Sequence, residues 1–170
     1  MNEADVIKDA FGRISEEVYA TLSDLPDAAL TYRIDPDANT IAWLIWHLTR
    51  VQDDHVAGVA GHEQVWTAQD WHSRFALSFD VGDIGYGHST DDVAQVRPSI
   101  DLLVGYHDAV QKKTTAYVET LRSEDLDNVV DRNWTPPVTL GVRLVSVISD
   151  DLQHVGQAAF VAGIFARTHS

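Results

Sequence analysis

Apolar residues recur along this chain at helical spacing. Val6, Ala10, Ile14, Val18 and Leu22 repeat every fourth position with Phe11 beside them, and predict an amphipathic helix from residue 3 to about 25, closed by Pro26. A polar connection with Asp35, Pro36 and Asp37 follows. Asn39 and Thr40 are both good N-caps for a second helix, which runs through Trp43-Leu44-Ile45-Trp46-His47-Leu48 to Gly58 or Gly61. Residues 62–98 break the pattern. Gly82, Gly85 and Gly87 are interleaved there with Trp66, Trp71, Phe75, Phe79 and Tyr86, which predicts a long aromatic crossover with short helical pieces near 68–75 and 91–96. A third helix follows Pro98, with Ser99 as its cap, and carries Ile100, Leu103, Val104, His107, Val110, Thr114, Tyr117, Val118 and Leu121. Residues 123–138 are polar and end in Trp134-Thr135-Pro136-Pro137; Val129-Val130 is the one weak strand candidate. The fourth helix, from Thr139 to about Arg167, is apolar on nearly every side, which suits a central position or a subunit interface.

Four long helices in 170 residues predict an all-α fold, with residues 1–170 as a single domain. The connection between helices two and three is too long for a hairpin and suggests a crossover. Those helices then run parallel, giving an up-down-down-up four-helix bundle in which helices two and four are antiparallel and face each other.

Charge narrows the function. Twelve basic against 26 acidic side chains leave a net charge of −14. Such a chain is a poor partner for nucleic acid, which needs clustered Lys and Arg, or for an anionic membrane surface. There are no cysteines, so disulfides, thiolate ligands and cysteine nucleophiles are excluded, and a cytoplasmic location fits. The acidic start, Met1-Asn2-Glu3-Ala4-Asp5, does not read as a secretory signal, and no run of eighteen apolar residues is present.

The candidate chemistry is a metal site. Asp150 and His154 lie four residues apart on the predicted fourth helix and so share one face; Asp151 offers an i, i+3 alternative. His47 sits on a mostly apolar stripe of the second helix with Leu44 and Val51. Imidazole and carboxylate are common ligands for first-row ions, and three protein ligands leave a coordination position free for water or substrate. Burying an ionisable pair on an apolar face is costly without a partner, and a metal ion removes that cost. A di-iron bundle needs two Glu-x-x-His motifs, and the chain has none; it also lacks Gly-x-Ser-x-Gly and a P-loop. Asp54, two turns after His47, and Gln157, on the face of His154, are candidate substrate-binding residues. Tyr106, His107, Trp71 and Phe75 are candidates to border the opening. His55, His62, His72, His88 and His169 show no ligand-like spacing and are expected at the surface.

His47 within Trp-Leu-Ile-Trp-His-Leu, and the run Asp150-Asp151-Leu-Gln-His154-Val-Gly156-Gln157, resemble the metal motifs of the DinB/YfiT-like helical bundles. Within them the chain is most similar to DinB-like proteins related to the N-terminal domain of mycothiol-dependent maleylpyruvate isomerase. The resemblance covers essentially the whole chain. It implies one divalent ion, commonly zinc or nickel, with two of its ligands four residues apart on the last helix. Carried over, that selects His47, Asp150 and His154, and favours Asp150 over Asp151. It further implies a homodimer and a cosubstrate thiol such as mycothiol, bacillithiol or glutathione.

Two departures matter. Asp stands where His or Glu is commoner, and the isomerase's additional C-terminal domain has no counterpart here, so its activity is not carried over. The expected function is a metal-dependent thiol S-transferase acting on a small electrophile, with no catalytic side chain assigned. The alternatives are a non-catalytic dimeric helical domain that binds or senses a small molecule, and a metal-dependent hydrolase.

Overall fold

The computed structural model describes residues 2–169 and is predominantly helical. In chain order the helices are α1 (Glu3–Leu22), α2 (Asp27–Leu30), α3 (Ile41–Ala60), α4 (Val65–Ala68), α5 (Trp71–Phe75), α6 (Thr90–Gln95), α7 (Ile100–Val118) and α8 (Leu140–Thr168). A 3₁₀ turn at Ser123–Asp127 and a two-stranded antiparallel ribbon, β1 (Val129–Asp131) with β2 (Val138–Thr139), join α7 to α8. The weak strand signal at Val129-Val130 is thus a real strand, paired across the Pro136-Pro137 turn; a strand this short leaves little periodicity to read. No helix among the described residues is long and apolar enough to cross a membrane.

Local chemistry sets the helix ends. The Thr40 hydroxyl accepts from the Trp43 amide at 3.1 Å and starts α3, and Gly61, in the left-handed region at φ 72°, ends it. Ser99 and Thr139 cap α7 and α8 in the same way as Thr40. Helix α1 stops at Leu22, earlier than its apolar period suggests, and α2 forms in the connection read as irregular.

Helix α3 is the central element: every residue from Ile41 to Asp53 is buried. Its polar members therefore need internal partners. The Arg50 guanidinium donates to the Asp83 carbonyl (3.2 Å), to Gln64 Oε1 (2.8 Å) and to the Tyr106 hydroxyl (3.3 Å). The Asp53 carboxylate accepts the Val65 and Trp66 amides, both at 2.8 Å, and the Tyr106 hydroxyl at 2.8 Å. These contacts pin the crossover, residues 62–99, onto α3.

This network corrects one expectation. Tyr106, Trp71 and Phe75 do not border an opening: their rings pack on one another in the core, Phe75 and Trp71 lying 5.8 and 5.6 Å from Tyr106. His107 is also interior, because α7 turns it between α1 and α3. Its ring nitrogens contact the Ser15 and Thr49 hydroxyls at 2.9 and 3.2 Å.

Helix α8 packs on α3 and α1 through Leu144, Val147, Val155 and Val161, but leaves Val142, Val145, Leu152 and Phe160 exposed. Its surplus of apolar residues lies on the surface, and α3 takes the centre.

His107 carries a pH signature. Burial pushes its imidazole down from 6.5 to about 4, with the nearby Asp108 charge opposing. The unfolded chain then holds a proton that the folded chain releases, so His107 contributes fully above its unfolded value of 6.5 and loses that contribution as pH falls towards 4. Urea melts are expected to show about 3 kcal/mol of acid destabilisation from this group across that window. His107→Gln is expected to be less stable than wild type at neutral pH, with a visibly flatter profile below it.

Candidate metal centre

His47, Asp150 and His154 converge where α3 faces α8. One ligand-capable atom from each lies within 4.8 Å of the other two. His154 Nε2 is 3.7 Å from Asp150 Oδ1, and the two imidazole rings meet edge to face with centroids 4.9 Å apart. His47 is buried, while Asp150 and His154 are half-buried. The i, i+4 spacing does what a helix face requires of it. Asp151, one residue and about 100° further round, points into the core instead, fully buried. Both of its oxygens lack a hydrogen-bond partner, and burial first, then the Asp150 charge, push its carboxyl well above the usual range. Geometry therefore makes Asp150 the carboxylate of the cluster.

Both histidines are oriented before any ion arrives. His47 Nδ1 bonds the Ile84 carbonyl, which can only accept, so the proton sits on Nδ1 and Nε2 keeps its lone pair. His154 Nδ1 lies 3.1 Å from Gln157 Oε1, and with donation to that oxygen its Nε2 is likewise free beside Asp150. Partners of this kind on the outer nitrogen are how proteins aim imidazole ligands at metals. Burial pushes His47 below its ordinary value, with the neighbouring His154 adding and the Asp150 charge opposing. The neutral, ligating form is thereby favoured. Asp150 Oδ2 is buried with no hydrogen-bond partner. An orphaned carboxylate oxygen beside two imidazoles oriented in this way suits a divalent ion; zinc and nickel both accept such a donor set.

The crossover builds the wall behind His47. The Trp43 indole stacks on the His47 ring at 4.5 Å and donates to His88 Nδ1 at 3.0 Å. An indole N–H can only donate, so His88 carries its own proton on Nε2, which faces Asp83 Oδ2 at 3.0 Å. His88 is thus an interior residue, its side chain 6% exposed and packed on Trp46 and Phe79, contrary to its expected surface position. His55, His62 and His72 are half-buried and His169 exposed. Gly85 lies so close to this wall that a Cβ would sit 2.6 Å from His47 Nδ1, 3.1 Å from Trp46 and 3.2 Å from Trp43.

Asp54 lies about 10.5 Å along α3 from His47 and holds Gln64 Nε2 at 2.7 Å. It lines a cavity of 980 Å³ together with His55, Asn133 and Arg143. Arg143 precedes Asp150 by the same two turns, and its guanidinium is paired with Asp131 at 3.1 Å. Gln157 is exposed, and its oxygen serves His154. Spacing alone did not reveal Ile84, Tyr86 and His88, because a backbone carbonyl has no sequence signal and His88 has no ligand-like partner. The one available cue was the glycine pair that brackets Tyr86.

Residues 10–158 match the family model of the DinB superfamily. The fold superposes on the crystal structure of a conserved protein from Enterococcus faecalis with a TM-score of 0.88, at 31% identity, over 95% of this chain and 96% of that one. No curated protein matches the chain significantly.

The two glycines around Tyr86 separate strain from crowding. Gly85 and Gly87 both have positive φ, 101° and 77°, but only Gly85 has atoms in the way of a Cβ. Gly87→Ala is expected to cost about 1 kcal/mol from the backbone alone. Gly85→Ala is expected to cost about 2–4 kcal/mol, because crowding against His47 adds to that strain. Chemical denaturation of the two variants side by side measures the difference.

Proposed function

The chain belongs to the DinB superfamily, and from that membership and its His-Asp-His cluster we propose that it is a divalent-metal-dependent enzyme of the thiol S-transferase type. The observation that carries the reading is the set of three ligand atoms within 4.8 Å of one another, with the outer nitrogens of both histidines already engaged. In this reading His47, Asp150 and His154 hold one zinc or nickel ion. Such an ion supplies Lewis acidity at a position no protein group fills, and so favours the thiolate of a bound low-molecular-weight thiol. Ile84 and Gln157 hold the outer nitrogens of His47 and His154, so that Nε2 of each is turned towards the ion. Asp54, and Gln157 on its exposed side, contact the substrate. A carbon–sulfur bond forms on the small electrophile, its leaving group departs with the bonding electrons, and the thiol proton passes to solvent. A thiol of the mycothiol, bacillithiol or glutathione kind is the cosubstrate in this proposal, and the cytoplasm its setting.

We also read α1, α3, α7 and α8 as an up-down-down-up bundle forming one domain. The support is the order of residue pairs. Ser15 meets His107 while Lys8 meets Glu119, so α1 opposes α7. Thr49 meets His107 while Gln52 meets Thr114, so α3 follows α7. His154 reaches Trp43 near the start of α3, and Arg143 influences His55 near its end, so α8 opposes α3.

The exposed residues of α8 favour a homodimer. Val142, Val145, Ser149, Leu152, Gly156 and Phe160 follow one another at steps of three or four residues along a single face, a seam of the coiled-coil kind. Val145 and Phe160 are each 61% exposed, and Ser149 and Gly156 between them permit close approach. If no reaction depends on the metal, this seam supports the alternative of a dimeric domain that binds a small molecule without transforming it.

Two experiments test these readings. Protein purified without a histidine tag is expected to carry about one ion per chain by elemental analysis, the simplest stoichiometry for one three-ligand site. His154→Ala is expected to lose most of that ion. An unchanged metal content in the variant overturns the site. Thiol consumption with a chromogenic electrophile is expected of wild type only. Ester cleavage without thiol consumption favours the hydrolase instead. For the dimer, Val145→Asp or Phe160→Asp is expected to shift the mass measured by light scattering from two chains to one, and an unchanged mass places the interface elsewhere.

A further inference from the structure

Tyr86 has no role in the fold that accounts for its position. It is an aromatic residue with 61% of its surface exposed, next to the buried Gly85 and between the half-buried Ile84 and His88. Gly85 and Gly87, both in the left-handed region, turn the chain sharply on either side of it. The turn is held onto α3 by the Ile84 carbonyl on His47 and the Asp83 carbonyl on Arg50, and is braced internally by the Asp83 carboxylate, which takes the Gly85 amide at 2.7 Å. The backbone therefore has one well-determined course, and the side chain it presents stands at the metal cluster. The Tyr86 ring meets the His47 imidazole edge to face, with centroids 5.3 Å apart.

The hydroxyl of Tyr86 makes no hydrogen bond to the rest of the described chain, whereas those of Tyr19 and Tyr106 do. Asp150, Asp151, Asp54 and Arg143 all act on it electrostatically. Of these, Asp150 belongs to the cluster, and Asp54 and Arg143 line the 980 Å³ cavity. A phenol whose ring rests on His47 and whose hydroxyl has no partner offers a free donor beside the cluster.

We propose that Tyr86 is a substrate-contacting residue, which covers the open side of the His47–Asp150–His154 cluster and donates its hydroxyl to the ligand held there. This rests on the cluster being a metal site. The ring shields the position from bulk water, and the hydroxyl selects ligands with an acceptor next to the atom that meets the ion. A thiol with an oxygen on the carbon next to the one that bears sulfur fits that description.

The test uses the full chain loaded with Co²⁺, with 2-mercaptoethanol as the probe and the visible and near-ultraviolet cobalt spectrum as the readout. Wild type is expected to bind cobalt and to show a thiolate-to-cobalt band on titration. Tyr86→Phe is expected to keep its cobalt and weaken thiol binding about three- to tenfold, the effect of one lost hydrogen bond. Tyr86→Ala is expected to weaken it further while still holding cobalt. Equal thiol affinity in wild type and both variants, at equal cobalt content, overturns the proposal and leaves the metal site standing. Loss of cobalt from Tyr86→Phe also overturns it, since the residue would then act on the ligand set. A wild type that takes up no cobalt removes the metal reading and the role of Tyr86 with it.

Discussion

Arg50 and Asp53, one turn apart and both buried on α3, are the contact on which the rest of the architecture depends. A charged pair in a helix bundle core costs several kcal/mol in lost hydration unless every donor and acceptor finds work. Here nearly all do. Asp53 takes the backbone amides that begin the crossover, and Arg50 takes a carbonyl from its far leg. One helix turn thereby gathers two points of the loop that are almost twenty residues apart. Apolar packing alone would bury the crossover's tryptophans without fixing where its backbone lies. Hydrogen bonds to a buried ion pair give it a defined course beside His47.

The same arrangement explains why His47 is a suitable member of the cluster. An imidazole deep in an apolar helix stacks on Trp43 and loses its charge through burial, but burial alone would leave its two nitrogens interchangeable. The Ile84 carbonyl settles the choice, and that carbonyl is where it is because Asp83 and Arg50 hold the adjoining backbone. His154 is oriented more cheaply, by a glutamine three residues along its own helix. The buried histidine is positioned by the fold and the half-buried one by its neighbour.

Much of this was legible in the sequence. The long helices declared themselves through fourfold apolar spacing, and their caps through Thr40, Ser99 and Thr139. The cluster was legible in part: helix spacing paired His154 with either Asp150 or Asp151, and the resemblance to the DinB-like bundles favoured Asp150. What spacing could not show is which apolar faces turn inward. Tyr106, His107, Trp71 and Phe75 carry the same periodic signal whether they line an opening or fill a core, and partners from three different helices decided for the core. His88 was invisible for a related reason: its partners, Trp43 and Asp83, lie far from it or at no helical interval. Surface placement of the α8 stripe depended likewise on α3 having already filled the centre.

The turn at Gly85 has an evolutionary consequence. The crossover reaches the ligand histidine through a carbonyl oxygen and a missing side chain, and neither of these specifies what residue stands at position 84 or 86. On the proposed reading, a chain built this way can exchange the groups that face a substrate while the His-Asp-His cluster, and the backbone that aims it, stay fixed. New specificities would then arise by drift in a single loop, without passing through forms that have lost the centre.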